Sequence, residues 1–398
     1  MWAANTSTSE NTAPTSSITL TLKTSENEAE TTDIFINNLR QALSKQRTFS
    51  LLNDSSDVEA DYDLVVRTIG QPVPERISLE LIDNNDASIQ WAEAYKIDTD
   101  PNFDALITKA TDDLFPQIVS STKDTLDARP LESLNAWELY LLSTWVPGSA
   151  LSNLDWEVQR RDIAQAAVEL DPELGQAHSV LADKLIYLSS IDATYHSDDI
   201  VQAASKHARD ALNMAPRDTN ALFNLAIHHW HMGQHQKSRN ILERIIAIDP
   251  FNGFAKYLIG NFQHTCDAPP DDLLANAYEF DQQLAPDNPI RWVTLTGLGM
   301  LHLNRGELDQ AQRAEAQANV IFRTPDTVMR YATILHALGN TNEAVDLVNG
   351  ERNEWPNLDP MHFATVTMPR RCHEYTDASK VLSHYKSFAE AFVKNNSP

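Results

Sequence analysis

The chain contains little of the material from which nucleotide sites and serine-hydrolase sites are built. Its 398 residues include only 11 glycines, and no GxxxxGK[ST] or GxGxxG loop is present to cradle a phosphate. No GxSxG elbow is present to carry a nucleophilic serine. The sequence therefore predicts a protein that is not an enzyme and that uses no cofactor.

Cysteine is equally scarce. Cys266 and Cys372 are 106 residues apart and belong to no CxxC or Cys/His metal spacing. We therefore expect a buried or idle thiol at each position, which would say little about the redox compartment.

Long apolar runs are missing as well. No stretch of 18 apolar residues occurs, and the first 17 residues lack the basic and apolar regions of a signal peptide. We expect residues 1–17, rich in Ser, Thr and Asn, to form a disordered tether. Trp2 fits a membrane-interface flank left by an upstream span, and equally an accidental exposed tryptophan. The predicted location is the periplasm if such a span has been removed, and the cytoplasm otherwise.

Basic residues are outnumbered throughout. The chain has 31 Lys+Arg against 56 Asp+Glu, a formal net charge of -25. Residues 1–130 hold 10 basic and 22 acidic residues, which gives this part a net charge of -12 and the remainder a net charge of -13. A polyanion would be repelled, so nucleic-acid binding by this chain is excluded.

What is present is a repeat. Four tripeptides that end in proline each close an amphipathic helical stretch, at intervals of 44, 34 and 36 residues: Leu170-Asp171-Pro172, Met214-Ala215-Pro216, Ile248-Asp249-Pro250 and Leu284-Ala285-Pro286. A large residue followed by a small one stands at a fixed place in each first helix, and Gly233, Gly306 and Gly339 precede the second helices. The pattern predicts stacked helical hairpins from about residue 134 onward.

The repeat resembles the tetratricopeptide family, whose 34-residue helix-turn-helix unit carries a Leu-Gly pair, a packing Ala and a closing Pro. Residues 219–250 are the cleanest copy, while extra residues at 189–197 widen one hairpin. The resemblance implies an all-α solenoid over residues 134–398, a right-handed superhelix of about six hairpins with a capping helix at 378–393. It also implies a concave surface that binds a protein or peptide.

A small α+β domain is predicted ahead of the array, over residues 18–126. Alternating apolar residues at 18–22 indicate a strand, and a helical spacing follows at 28–46. A short strand at 49–52 is followed by a three-stranded meander and a closing helix near residue 126.

This leading part resembles the effector half of two groups of bacterial proteins. The segments Ala60-Asp61-Tyr62, Leu81-Ile82-Asp83 and Trp91-Ala92-Glu93-Ala94-Tyr95, followed by repeats, are similar to CadC/ToxR-type membrane-anchored winged-helix regulators and to tetratricopeptide-containing class III adenylate cyclases. The resemblance implies an upstream DNA-binding or cyclase domain and a role in sensing or docking. The expected function is a non-enzymatic, protein-binding sensor or scaffold, the extracytoplasmic part of a membrane-bound transcriptional regulator or signalling protein.

The candidate binding residues are first-helix positions that the family geometry places on the concave side. Aromatic and methionine side chains among them are those that binding hot spots use, although Phe223, Ile227 and Met300 also have the spacing of core residues. An acidic inner wall would favour a basic partner. The set is Tyr187, Phe223, Ile227, Trp230, His231, Tyr257, Asn261, His264, Met300, Asn304, Met329 and His336.

A histidine cluster leaves an alternative open. His228 and His231 lie at i,i+3, and His231 and His235 at i,i+4, a spacing that suits a divalent metal if the helix continues. Gly233 interrupts that helix, and no HExxH motif is present. The alternatives are a metal-binding or hydrolytic enzyme that uses this cluster or the α+β domain, a pH-sensitive group, or ordinary core and solvated histidines.

Overall fold

The computed structural model describes residues 18–24, 30–44, 49–52, 59–70, 75–97, 103–144, 153–250, 252–263, 266–267, 271–284, 291–375 and 379–396. The predicted tether at 1–17, His264, and Ala285-Pro286 of the fourth tripeptide lie outside these residues. Within them, no helix combines the length and apolar character needed to cross a bilayer.

The N-terminal part is built on one five-stranded sheet. Its strands are β1 (Ile18–Thr24), β2 (Phe49–Leu52), β3 (Tyr62–Ile69), β4 (Arg76–Asp83) and β5 (Ile89–Lys96). Their order is β2-β1-β3-β4-β5, with β1 parallel to both β2 and β3. Strands β3, β4 and β5 pair antiparallel, as a meander.

Two helices cover one face of this sheet. They are α1 (Glu30–Leu43) and α2 (Phe103–Asp127), and the rings of Phe35 and Phe103 meet between them at 5.8 Å. The alternation of β1 buries Leu20 and Leu22 against these helices, while Thr19 on the other face bonds Asp61. The same apolar cluster continues into Trp137 and Tyr140 of the first array helix, so the sheet layer and the array share a core.

The rest of the described chain is helical, and the predicted fold class is confirmed. The array consists of α3 (Ala136–Ser143), α4 (Leu154–Leu170), α5 (Gly175–Ile191), α6 (Asp198–Met214), α7 (Thr219–His231), α8 (His235–Ile248), α9 (Gly253–Gln263), α10 (Asp271–Gln283), α11 (Arg291–Arg305), α12 (Leu308–Ile321), α13 (Pro325–Ala337) and α14 (Thr341–Gly350). Successive pairs form hairpins. Asn153, Ser197, Asp218 and Thr324 cap helix starts with their side chains.

The chain beyond α14 turns back toward the start of the array. Short helices α15 (Pro360–His362) and α16 (Met368–Arg371) are joined by a π-helical turn, Phe363–Thr367, and α17 (Ser379–Asn396) follows. We call residues 360–375 the inner segment. It contacts the first helices of several hairpins at once: Thr367 donates to the carbonyl oxygen of Ser190 on α5, and Arg371 reaches Asp326 on α13.

A disulfide fastens the inner segment to the middle of the array. Cys372 is bonded to Cys266, which follows α9, with the two Cα atoms 5.5 Å apart. Both cysteines are buried as expected, but they are bonded to each other, so the expectation of a thiol at each position is wrong. The return of the inner segment brings residues 106 positions apart into contact, and no local spacing in the sequence reports such a return.

Candidate functional site

Eleven of the twelve predicted binding residues are described, and all lie on first helices of the hairpins. None of the eleven is exposed. Six are buried, namely His231, Tyr257, Asn261, Met300, Asn304 and Met329. Five are half-buried, namely Tyr187, Phe223, Ile227, Trp230 and His336. The predicted face is thus largely covered by the chain itself.

The main cover is Arg371 of the inner segment. Its guanidinium lies over the Trp230 ring, 4.6 Å from the centroid, and donates from Nη2 to His231 Nδ1 at 2.8 Å. Both oxygens of Asp326 accept from the same guanidinium. The Tyr187 ring lies beside this group, and its centroid is 5.6 Å from the centroid of the His231 ring. We call Tyr187, Trp230, His231 and Asp326 the arginine pocket.

The electrostatics of this pocket follow from burial. Because a guanidinium only donates, His231 must present an unprotonated Nδ1. Burial lowers the pKa of His231 well below its ordinary value, and the neighbouring charge of Arg371 adds to the effect. The positive charge of Arg371 is balanced by Asp326, while the imidazole contributes as a neutral acceptor.

Further contacts lock the inner segment on either side of Arg371. The backbone N–H of His235 donates to Glu374 Oε2 at 2.9 Å, and its ring lies against the carbonyl oxygen of Arg371. Gly233, in the turn between α7 and α8, has φ +65°, and a Cβ there would collide with the carbonyl oxygen of Arg370. Glycine is therefore required both for the left-handed turn and for the close approach of the inner segment.

A second group of predicted residues serves helix packing. Tyr257 donates to the carbonyl oxygen of Thr294 at 3.1 Å, and Asn261 Nδ2 donates to the Tyr257 hydroxyl at 2.7 Å. Both side chains press on Gly297 of α11, where a Cβ would overlap them. Tyr257 and Asn261 thus join α9 to α11.

The last helix covers α13. His336 Nε2 lies 2.9 Å from Ser387 Oγ of α17, and its ring contacts Phe388 at 5.9 Å.

Phe223, half-buried on α7, meets Phe254 at 5.5 Å. Whether these residues also meet a partner stays a prediction.

The histidines of the 228–235 stretch do not direct their nitrogens to one point. His228 Nδ1 faces the Ala182 carbonyl oxygen at 3.3 Å, and His229 Nδ1 faces Gln234 Oε1 at 2.8 Å. His231 and His235 bond Arg371 instead. Helical spacing alone does not bring these ring nitrogens together, because the turn at Gly233 separates His235 from the other three histidines.

Acid should weaken the array through His228. Burial, assisted by His229, lowers its folded pKa to about 3, below its ordinary value of 6.5. Unfolding therefore takes up a proton below pH 6.5, so stability is complete above that pH and is lost progressively toward pH 3. Between pH 6.5 and 5 we expect His228 to contribute a loss of up to about 1.4 kcal/mol per pH unit. Urea denaturation at several pH values measures the slope.

The control compares two histidine variants. His228→Gln should flatten the slope, whereas His373→Gln, which changes an exposed imidazole, should keep it. Equal slopes in both variants and the parent would contradict the assignment to His228.

Sequence reasoning missed Arg371 and Asp326, the charged pair at the centre of the site. One signal was available: Arg370 and Arg371 form a basic pair in a strongly acidic chain. Nothing in their spacing connects them to α7 or α13, so the pair alone could not be assigned.

Comparisons with known proteins bear on the array. A search of curated proteins finds no match to the sequence. One structural neighbour is the solved structure described as "Functional Characterization of Pseudomonas Aeruginosa pilF", at 13% identity over 52% of this chain and 87% of that chain, with a TM-score of 0.30. The family model for the tetratricopeptide repeat matches residues 292–314. This match lies on the hairpin of α11 and α12, and it supports a tetratricopeptide repeat protein.

Proposed function

We propose that this chain is a non-enzymatic protein-binding scaffold whose inner face takes an arginine-bearing polypeptide segment. The observation that carries the proposal is the arginine pocket, in which a tryptophan face, a neutral imidazole and a carboxylate surround the side chain of Arg371. Here the occupant is the chain's own inner segment. A partner segment with the same chemistry would compete for the same face.

The chemistry of the pocket supports selectivity for arginine. A desolvated cation–π contact contributes about 2 kcal/mol, and a planar guanidinium matches a carboxylate with two bonds where an ammonium offers a point charge. The net charge of -25 would also attract a basic segment and raise its association rate.

We further propose that the scaffold is the sensory, extracytoplasmic part of a bacterial membrane-bound regulator. The resemblance of the leading segments to such regulators motivates this role. The disulfide between Cys266 and Cys372 supports an oxidising compartment, because cytosolic thiols are normally kept reduced. Exchange of the inner segment for a partner would give such a sensor two states.

Peptide binding tests the scaffold role. The host is the full chain with Arg371→Ala and Cys372→Ser, in which the inner segment lacks its anchor and its disulfide. We expect it to bind a labelled peptide of residues 365–375 carrying only Cys372→Ser, and to bind the same peptide with Arg371→Ala at least tenfold more weakly, a difference of about 1.4 kcal/mol. Fluorescence anisotropy measures both.

Matched host variants localise the binding. Adding Trp230→Ala to the host should weaken peptide binding about tenfold or more, whereas Tyr278→Ala, an exposed aromatic outside the pocket, should leave it unchanged. Equal binding of the two peptides, or no binding by a host that still unfolds cooperatively, would refute the proposal.

A further inference from the structure

Three side chains of the second hairpin bring metal-binding atoms together. His178 lies on α5, and His207 and Asp210 lie on α6. The two Nδ1 atoms of the histidines are 2.9 Å apart, and His178 Nδ1 is 3.9 Å from Asp210 Oδ2. One ligand atom from each of the three residues lies within 4.8 Å of the others.

The ring of His178 is oriented by its other nitrogen. His178 is 4% exposed, and its Nε2 lies 3.0 Å from the carbonyl oxygen of Pro172. Because a carbonyl only accepts, Nε2 carries the hydrogen, which leaves Nδ1 as the nitrogen that faces His207. A hydrogen bond from the remote nitrogen to a backbone carbonyl is the arrangement that orients histidine ligands in metal sites.

The two α6 residues complete the group from one side of their helix. His207 and Asp210 are three residues apart, so their side chains lie on the same face, and both are half-buried. Solvent can reach this side of the group.

We propose that His178, His207 and Asp210 bind a divalent transition-metal ion of the zinc class, with water as the fourth ligand. Two imidazole nitrogens and one carboxylate oxygen favour zinc, copper or nickel over magnesium and calcium, which prefer oxygen ligands. Tetrahedral zinc holds two nitrogens about 3.3 Å apart, so the histidines need to separate by only a few tenths of an ångström. The ion would join α5 to α6 across the widened hairpin.

Lys206 competes with an ion for Asp210. Lys206 Nζ lies 2.8 Å from Asp210 Oδ2, but its side chain is 64% exposed. Exposed pairs of this kind contribute little, so an ion can displace the lysine.

Calorimetric titration of the metal-free full chain with zinc chloride tests the site. We expect one ion per chain, and a weakening of at least tenfold in His207→Gln. Lys206→Ala should strengthen binding several-fold, because it releases Asp210, and a gain in affinity cannot arise from misfolding. His384→Gln, which removes a half-buried histidine on α17, should change nothing. Cobalt(II) in place of zinc should give the visible absorption of a tetrahedral site.

Three results would overturn the proposal. They are no stoichiometric zinc binding at micromolar concentration, binding that survives His207→Gln unchanged, and binding that His384→Gln abolishes. Any of them would leave His178 and His207 as a hydrogen-bonded packing pair.

Discussion

Replacing Cys372 with serine is expected to lower the free energy of unfolding by about 4 to 5 kcal/mol. The disulfide closes a loop of 106 residues, and cross-linking a loop of roughly 100 residues removes conformational entropy from the unfolded chain worth about 4.7 kcal/mol. Both cysteines are buried, so serine also places a hydroxyl in an apolar cluster. Urea denaturation of the parent, with and without reductant, gives the comparison.

The matched variants are Cys266→Ser and the double variant. All three should unfold at nearly the same urea concentration, since either single change removes the same bond. A parent whose urea midpoint is unchanged by reductant would contradict this account.

The disulfide also bears on the proposed location. Alkylation of thiols in intact native cells should leave both cysteines unmodified if the protein matures in an oxidising compartment. Rapid labelling of both would place the protein in a reducing compartment and would remove the support for an extracytoplasmic sensor.

The helical array was predictable because its information is local. Apolar helical spacing recurs along the array, four stretches end in a proline tripeptide, and the three turn glycines, Gly233, Gly306 and Gly339, adopt positive φ. The strands of the N-terminal sheet were predictable for a similar reason, since alternation in a segment such as Ile18–Thr24 reports one buried face directly. The division of the chain into domains remains a prediction, and the core shared by the sheet layer and Trp137 shows the two parts in contact.

The inner segment could not be predicted in the same way. Pro369 stands within the helical turns of residues 360–371, where proline is not expected. The inner segment is ordered by distant partners: Ser190, His231 and Asp326. The predicted binding face was derived from family geometry that leaves the concave side open. Here the C-terminal part of the chain covers Trp230, His231 and His336 of that face.

The histidines illustrate the same limit. Spacing within one stretch singled out His228, His231 and His235, whose ring nitrogens face different partners. The pair that does converge, His178 and His207, comes from two helices and is 29 residues apart in sequence. Only the packing of α5 on α6 brings these rings together.

Removing the charge of Arg371 should lower the free energy of unfolding by nearly as much as removing the disulfide. Arg371→Ala is expected to lower the free energy of unfolding by about 3 to 5 kcal/mol, because Asp326 is left largely buried with its partner gone. The pair of Arg239 and Glu243 on α8 has the same chemistry but is exposed on both sides, so Arg239→Ala should cost less than about 1 kcal/mol. Urea denaturation measures the free energy of unfolding of both variants, and the difference between their losses reports the effect of burying the ion pair.

A double-mutant cycle shows whether the cost of Arg371→Ala comes from the lost attraction between Arg371 and Asp326 or from leaving the Asp326 carboxylate unpaired. If the cost of Arg371→Ala comes from the stranded carboxylate, Asp326→Asn should recover much of it, and Arg371→Met with Asp326→Asn should approach the parent. If the two single costs instead add, Arg371 stabilises the inner segment through Trp230 and His231 rather than through Asp326. Either result fixes which group a competing arginine must satisfy, because a partner entering the pocket meets the same tryptophan, imidazole and carboxylate that Arg371 leaves.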